Sequence, residues 1–347
     1  MTSRVNGRRV RALVVEDASP QRSQLVDILH REGDIVVVGM PTTAAAAIEG
    51  VVQCRPDVVI LDLHLADGRS QHAIEQIMAH TPTPILILSA RIDDRHSPSA
   101  VEALVAGALE AVPRPPRWTT EQGDGLRRAV RQISKVTVIR HTRGNLTKGV
   151  RRDPETRSGR LPVVAIAAST GGPSALATLL AGLAGLQAPV FVVQHLHPDF
   201  TTGLVEWMSR ISPLPVETAR HHQTARPGRI YIAPGEHHLH YRANGTLELD
   251  ATPVTVHRPS ADELFRSVAE AAGSAGIGVL LTGMGDDGAK GLLAIHQQGG
   301  HTLAQDEESS AVFGMPRAAA RLGAVTELLP LDKIAAGIQR AVRETST

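Results

Sequence analysis

The strongest constraint on this chain is a rhythm that occurs twice, in which short runs of Val, Ile and Leu alternate with amphipathic stretches of helical length. In the first 115 residues the apolar runs fall at 11–15, 35–40, 58–61, 85–88 and 110–112. They are too short and too rich in β-branched residues for helices, and amphipathic segments begin between them near Pro20, Thr42, Arg69 and Ser99. Five such units in succession predict a doubly wound parallel sheet. A second series starts at Leu161, with strands expected at 163–167, 190–194, 229–233, 277–282 and 301–304 and helices at 173–183, 261–272, 289–298 and 331–342. Asn244-Gly245, between 238–242 and 246–249, predicts a hairpin, and hence a mixed sheet in this half. The fold class is α/β in both halves.

A length of 347 residues suits two domains, each large enough to bury a core. We expect the first at 8–117, a basic linker at 118–159 and the second at 160–345. The composition changes at Pro113, Pro115 and Pro116, followed by Arg127, Arg128, Arg131, Lys135, Arg140, Arg143, Lys148, Arg151 and Arg152. Residues 125–139 have a helical pattern; the rest reads as linker, either solvated or touching an acidic partner. Over the whole chain, 36 basic minus 35 acidic residues leave +1, so bulk charge gives no reason to expect a nucleic-acid or membrane-surface binder. The single cysteine, Cys54, excludes an intramolecular disulfide and a multi-thiolate zinc site. There is no signal-peptide pattern after Met1, and no apolar run approaches the ~18 residues of a membrane span. A soluble, cytoplasmic protein without membrane insertion is the expectation. Aromatics are 2% of the chain, which suits close-packed parallel sheets and leaves little for stacking on bases.

Ligands of open α/β sheets sit beyond the carboxyl ends of the strands. In the first domain Glu16-Asp17 follows strand one and Asp62 follows strand three, so three carboxylates meet at one sheet edge. That arrangement is costly unless a divalent cation neutralises it. Ser89 ends strand four and Arg114 follows strand five, adding a hydroxyl and a fixed cation. Together these groups suit a site that receives a phosphoryl group on one carboxylate.

In the second domain, strand 163–167 runs into Ala168-Ser169-Thr170-Gly171-Gly172-Pro173 and a helix. A serine between a strand and a helix N-terminus is an exposed nucleophile position with N–H groups nearby for an oxyanion. The turn is close to G-x-S-x-G, although Ala167 stands at the first glycine. Phosphate binding and simple helix capping are alternatives for such a turn. Two more strand ends favour catalysis: one finishes with His195, and another leads into Gly283-Met284-Gly285-Asp286-Asp287-Gly288. Nucleophile, base and orienting carboxylate thus follow strands of one sheet. Several other features have plainer readings. Gly276-x-Gly278 precedes its strand instead of following it, unlike a dinucleotide fingerprint. His237, His238 and His240, with His221 and His222, suggest a metal site, but no carboxylate or thiol completes the set. Trp207 and Met208 read as core.

The first domain resembles a response-regulator receiver, a flavodoxin-like fold, over about residues 8–117. The matching residues are Val14-Val15-Glu16-Asp17, Leu61-Asp62-Leu63, Leu88-Ser89-Ala90 and Ala106-Gly107-Ala108. The resemblance implies Asp62 as phospho-acceptor, Ser89 and Arg114 as supporting residues, and Mg²⁺ held by Glu16, Asp17, Asp62 and the main-chain carbonyl of His64. Arg114 stands where that family has Lys, and Ala111 where it usually has an aromatic residue.

The second domain resembles the chemotaxis-type protein-glutamate methylesterases, the CheB family, over about residues 161–320. It matches at 168–173, Val193-Gln194-His195, Ile232-Ala233-Pro234-Gly235, Arg258-Pro259-Ser260, Leu264-Phe265-Arg266-Ser267, 281–288, Gln305-Asp306-Glu307 and Gly314-Met315-Pro316-Arg317. The resemblance implies Ser169 as nucleophile, His195 as base and Asp287, not Asp286, as orienting acid. It also implies Thr170, Gly171 and Met284 as oxyanion and supporting positions, and no cofactor for catalysis. The expected substrate is a glutamate γ-methyl ester on a methylated chemoreceptor, with glutamine deamidation as a second activity of some members. A histidine kinase is the expected phosphodonor, and phosphorylation of Asp62 is expected to shift the domains from a covered to an open arrangement. No specific nucleic-acid partner is expected. A signalling adaptor that binds a receptor-like partner without turnover is the alternative, motivated by Ala111 and Arg114.

Overall fold

The computed structural model describes residues 8–90, 98–136, 138, 161–252 and 257–345. The chain divides into two compact units, Met1–Arg143 and Gly144–Thr347. In the first, β1 (Val10–Val15), β2 (Ile35–Gly39), β3 (Val58–Asp62), β4 (Ile85–Ala90) and β5 (Glu110–Arg114) alternate with α1 (Ser19–His30), α2 (Ala44–Cys54), α3 (Ser70–His80), α4 (Pro98–Val105) and α5 (Thr120–Ile133). All pairings are parallel, in the order β2-β1-β3-β4-β5. Every residue of the central strand β3 is buried, as expected where helices cover both faces of a parallel sheet.

Helix α5 corrects the expected linker. Residues 120–133 belong to the first unit, because Leu126, Ala129, Val130 and Ile133 form a buried stripe. Thr119 opens the helix with a reciprocal capping box to Gln122. Two residues of the basic run are also tied into this unit. Arg127 is only 1% exposed; its guanidinium donates to the Ile28 carbonyl at 3.2 Å and pairs with Glu32 and Asp124. Arg131 pairs with Glu32 and Asp34. Arg128 and Lys135 are exposed, and Arg140, Arg143, Lys148, Arg151 and Arg152 lie outside the described residues.

The second unit contains β6 (Val163–Ala168), α6 (Gly172–Ala181), β7 (Val190–Gln194), α7 (Thr201–Ile211), β8 (Val216–Thr218), β9 (Ile230–Ile232), β10 (His238–Tyr241) and β11 (Leu247–Asp250). It continues with α8 (Ala261–Ala272), β12 (Gly276–Leu280), α9 (Ala289–Gln297), β13 (His301–Gln305), α10 (Met315–Arg321), β14 (Glu327–Leu329) and α11 (Leu331–Thr345). Seven strands form one parallel sheet, ordered β14-β13-β12-β6-β7-β9-β8. The hairpin forms around Asn244-Gly245, but β10 and β11 pair only with each other and do not make the main sheet mixed. Its backbone is engaged elsewhere: the Tyr241 N–H donates to Ser267 Oγ on α8, and the Leu249 N–H to His221 Nδ1. Met208 is fully buried on α7, whereas Trp207 is half-buried.

Sheet order fixes where the chemistry can lie. Strand β6 sits between β7 and β12, so the chain leaves it in opposite directions and opens a crevice at its carboxyl end. Arg127 offers a test of the α5 correction. Arg127→Ala should lower the stability of the first unit by about 2 kcal/mol through lost stem packing and an unpaired Ile28 carbonyl, with Arg127→Met losing less. Urea titration of the two variants checks this, and a wild-type midpoint for Arg127→Ala would contradict it.

Candidate active site

Parallel register brings the second-unit candidates together. Ala168 pairs with Gln194, so the next residues, Ser169 and His195, emerge from adjacent strand ends, and the His195 N–H donates to the Ala168 carbonyl at 3.0 Å. On the other flank Leu280 pairs with Ala167, and the Ser169 N–H donates to the Thr282 carbonyl at 3.0 Å. The β12 loop thereby runs past the serine. Gly283 is required there, since a Cβ would collide with Met315 Sδ and come within 2.8 Å of Ser169 Cβ.

His195 Nε2 lies 2.9 Å from Asp287 Oδ2. Asp287 also accepts from Ser260 Oγ (2.9 Å) and from the N–H groups of Ala261 (2.8 Å), Asp262 (3.0 Å) and Gly288 (3.1 Å). Three of these donors belong to the first turn of α8 or its cap, where positive N–H ends favour an anion. Burial alone would raise the carboxyl's pKa, but the His195 bond and charge, with the amides of Ala261 and Asp262, hold it well below the usual carboxylate range. An ionised carboxylate only accepts hydrogen bonds, so the proton of neutral His195 sits on Nε2. Nδ1 is then the basic nitrogen, and it is buried with no hydrogen-bond partner among the described residues. Asp286, by contrast, is exposed.

Gly171 caps α6 in the left-handed conformation at φ 76°, which turns the chain sharply after Ser169. Among the described residues, the N–H groups of Thr170 and Met284 donate to no acceptor. They are therefore available to a developing oxyanion.

Three further residues complete the site. His257 stacks on His195, with ring centroids 4.3 Å apart and an interplanar angle of 9°. Burial, then the neighbouring His195, hold His257 below the ordinary imidazole range. Ser260 caps α8 and bonds Asp287; the Ser260-x-x-Glu263 pattern is a capping signal legible in sequence. Gln194 bonds the carbonyls of both Ser169 and His195. No periodicity signals His257 or Gln194, because Gln194 acts across neighbouring strand ends and His257 through a ring contact from the segment before α8.

The histidines considered for a metal have other contacts. His238 is fully buried and its Nδ1 accepts the Ser260 N–H at 3.1 Å, while the His221 and His222 rings contact each other tilted by 51°, with centroids 3.8 Å apart. Among the described residues, no three ligating side chains converge as a metal site in either unit.

In the first unit, Val15 pairs with Leu61, so Glu16 and Asp62 emerge side by side. Arg114 Nη1 joins them, at 2.7 Å from Glu16 Oε2 and 2.5 Å from Asp62 Oδ2. Burial chiefly, with the Asp62 charge adding to it, pushes Glu16 up to about 7 against the Ala18 N–H and Arg114. Asp17 is not part of that pair; its Oδ2 accepts the Ala66 N–H at 2.7 Å. Asp62 Oδ1 accepts the His64 N–H at 3.0 Å. Ser89 is buried and follows Leu88, the register partner of Asp62. Ala111 is buried in β5. The donor chemistry of Glu16, Asp17, Asp62 and the His64 carbonyl suits a hard divalent cation, and Glu16 with Asp62 already converges on one cationic group.

Comparison with known proteins gives two family matches, CheB methylesterase over residues 164–338 and response regulator receiver domain over 12–118. A protein from Anaeromyxobacter dehalogenans named protein-glutamate methylesterase/protein-glutamine glutaminase 2 is 44% identical over 342 residues, covering 97% of each chain. A Myxococcus xanthus protein of the same name, numbered 4, is 37% identical over 347 residues, covering 96% of this chain and 97% of its own. The crystal structure of the Thermotoga maritima CheB methylesterase catalytic domain aligns with a TM-score of 0.50 and 37% identity, covering 52% of this chain and 98% of that one.

Asp287 carries the arrangement, and substitution should expose this. Asp287→Asn replaces one acceptor oxygen with a donor: an amide nitrogen at the Oδ2 position opposes the Ala261 N–H and forces the wrong His195 tautomer, and one at the Oδ1 position opposes the Asp262 and Gly288 N–H groups. It should slow fluorophosphonate labelling of Ser169 by about 1000-fold or more and lower stability by about 1–2 kcal/mol. Labelling kinetics and thermal unfolding measure the two effects separately.

Proposed function

The chain belongs to the CheB methylesterase family, with a response-regulator receiver ahead of the catalytic domain, and from that premise we propose that it hydrolyses glutamate γ-methyl esters on a chemoreceptor under phosphorylation control. The observation that carries the catalytic reading is the Asp287–His195 pair beside Ser169, with a base nitrogen left unpartnered. Ser169 Oγ attacks the ester carbonyl carbon while His195 Nδ1 takes its proton. The Thr170 and Met284 N–H groups receive the oxyanion, and collapse expels methanol, which takes the proton back from His195. Water, deprotonated by the same nitrogen, then releases the glutamate and restores the serine. A glutamine side chain presents the same acyl centre with ammonia as leaving group, so deamidation needs no further catalytic residue.

In the receiver, Asp62 is the phospho-acceptor and a histidine kinase its donor. Glu16, Asp17, Asp62 and the His64 carbonyl would hold Mg²⁺, which neutralises charge on the phosphoryl oxygens when bound. Arg114 supplies a fixed positive charge to the same carboxylates, and Ser89 a hydroxyl beside them.

Methanol release from a methylated receptor tests the central assignment. Ser169→Ala should reduce it by at least about 1000-fold, and undiminished release would sink the assignment. Asp62→Ala should abolish the change in rate that a small-molecule phosphodonor produces. Arg114→Lys should bind Mg²⁺ more tightly than wild type in a direct titration, because a compact ammonium leaves more of the carboxylate edge to the metal.

A further inference from the structure

We infer that Gln194 is a positioning residue: its side-chain amide clamps the nucleophile-bearing and base-bearing peptides together at the crevice. The inference rests on the esterase reading. Gln194 is the last residue of β7, paired with Ala168, and so stands immediately before both reacting positions. Its side chain is 6% exposed. Nε2 donates at 2.9 Å to the Ser169 carbonyl and at 2.9 Å to the His195 carbonyl, using both amide protons. The orientation follows from that pairing, since a flipped amide would oppose its oxygen to two carbonyl oxygens.

The clamp fixes two peptide planes that ordinary sheet pairing leaves to chance. Ser169 and His195 lie just beyond their strands, where their N–H groups are still held by the Thr282 and Ala168 carbonyls but their own carbonyls have passed the end of the ladder. A carbonyl held in place fixes the ψ angle of its own residue, and with it the direction in which that side chain leaves the backbone. The Ser169 carbonyl is held a second time by the Gly172 N–H at 2.7 Å. Holding both carbonyls on one rigid amide fixes the two backbones from which the Ser169 hydroxyl and the His195 ring project, the ring's Nδ1 being left without a partner among the described residues.

The surroundings are shaped to admit this amide. A Cβ at Gly172 would overlap Gln194 Oε1 and lie 2.8 Å from Cδ. Gly172 does not have the left-handed φ of its neighbour Gly171, so the requirement at 172 is space, first for the Gln194 amide and then for the Ala168 Cβ, which would lie 2.9 Å from a new Cβ. Oε1 itself is buried with no hydrogen-bond partner among the described residues, an arrangement unfavourable to stability. An apolar side chain of similar length would pack there without that penalty, so the amide's use lies in its two donors.

The experiment uses the full chain, with methanol release from a methylated receptor and fluorophosphonate labelling of Ser169 as readouts. Gln194→Met, similar in length but without donors, should fold with an unchanged or higher melting temperature. Its kcat should fall at least about tenfold with KM changed less than about threefold, and labelling should slow in parallel. Gly172→Ala should reproduce the loss in wild type and cost clearly less in a Gln194→Ala background, where the Ala168 Cβ at 2.9 Å is the close neighbour that remains. A folded Gln194→Met with wild-type kcat overturns the clamp. If Gln194→Met does not fold, the Gly172→Ala pair decides, and additive losses overturn it. Wild-type protein that neither releases methanol nor labels overturns the esterase reading itself, whereas active wild type with an indifferent Gln194→Met overturns the clamp alone.

Discussion

The active-site geometry depends on one buried carboxylate. Asp287 ends the β12 loop against the first turn of α8, and its two oxygens collect five hydrogen bonds, one of them from His195. Burial alone would neutralise the carboxylate; His195 first, and then the N-terminal amides of α8, keep it charged. Its charge in turn fixes the His195 proton on Nε2 and leaves Nδ1 basic. The support extends outwards, because the Ser260 N–H rests on His238 Nδ1 of the hairpin. A hairpin that stays out of the main sheet thus steadies the helix end that holds the acid.

Register does for position what Asp287 does for charge. Both units place their reactive residues one step beyond paired strand ends: Glu16 and Asp62 beyond Val15 and Leu61, Ser169 and His195 beyond Ala168 and Gln194. A shift of one residue in either pairing would send the apolar strand residues to the wrong faces, so the cores enforce the alignment of the sites. The strands concerned are almost wholly buried, which makes such a shift prohibitive. Function at the sheet edge is therefore specified by packing in the sheet interior.

Much of this was legible in the sequence where apolar periodicity and turn chemistry are strong. The strands, the Asn244-Gly245 hairpin and the strand-end placement of Ser169, His195 and Asp287 follow from those signals. Residues 120–133 were misread as linker because their charges mask an apolar stripe, and Arg127 is a core residue despite its type. Short strands such as β8 and β14 carry too few residues to show a period. Gln194 acts across neighbouring strand ends and His257 through a ring contact, and no local pattern encodes a contact between residues separated by a fold. Asp17 was grouped with Glu16 and Asp62 from strand-end placement, which does not show that one of its carboxylate oxygens accepts the Ala66 N–H.

The two sites balance buried acid differently, and this bears on how the receiver can signal. Asp287 is held as an anion by backbone amides and the His195 imidazole, with no fixed cation paired to it among the described residues. Glu16 and Asp62 share Arg114, whose guanidinium does not lose its proton in proteins. A phosphoryl group on Asp62 would compete with Glu16 for that one cation, and the Arg114 side chain would have to follow the new charge. Ala111, three residues before Arg114 and the one buried residue of β5, has no side-chain torsion with which to relay such a change. On the proposed phosphorylation of Asp62, the change would be carried by Arg114 and the β5 backbone, since Ala111 offers no ring to rotate at that position.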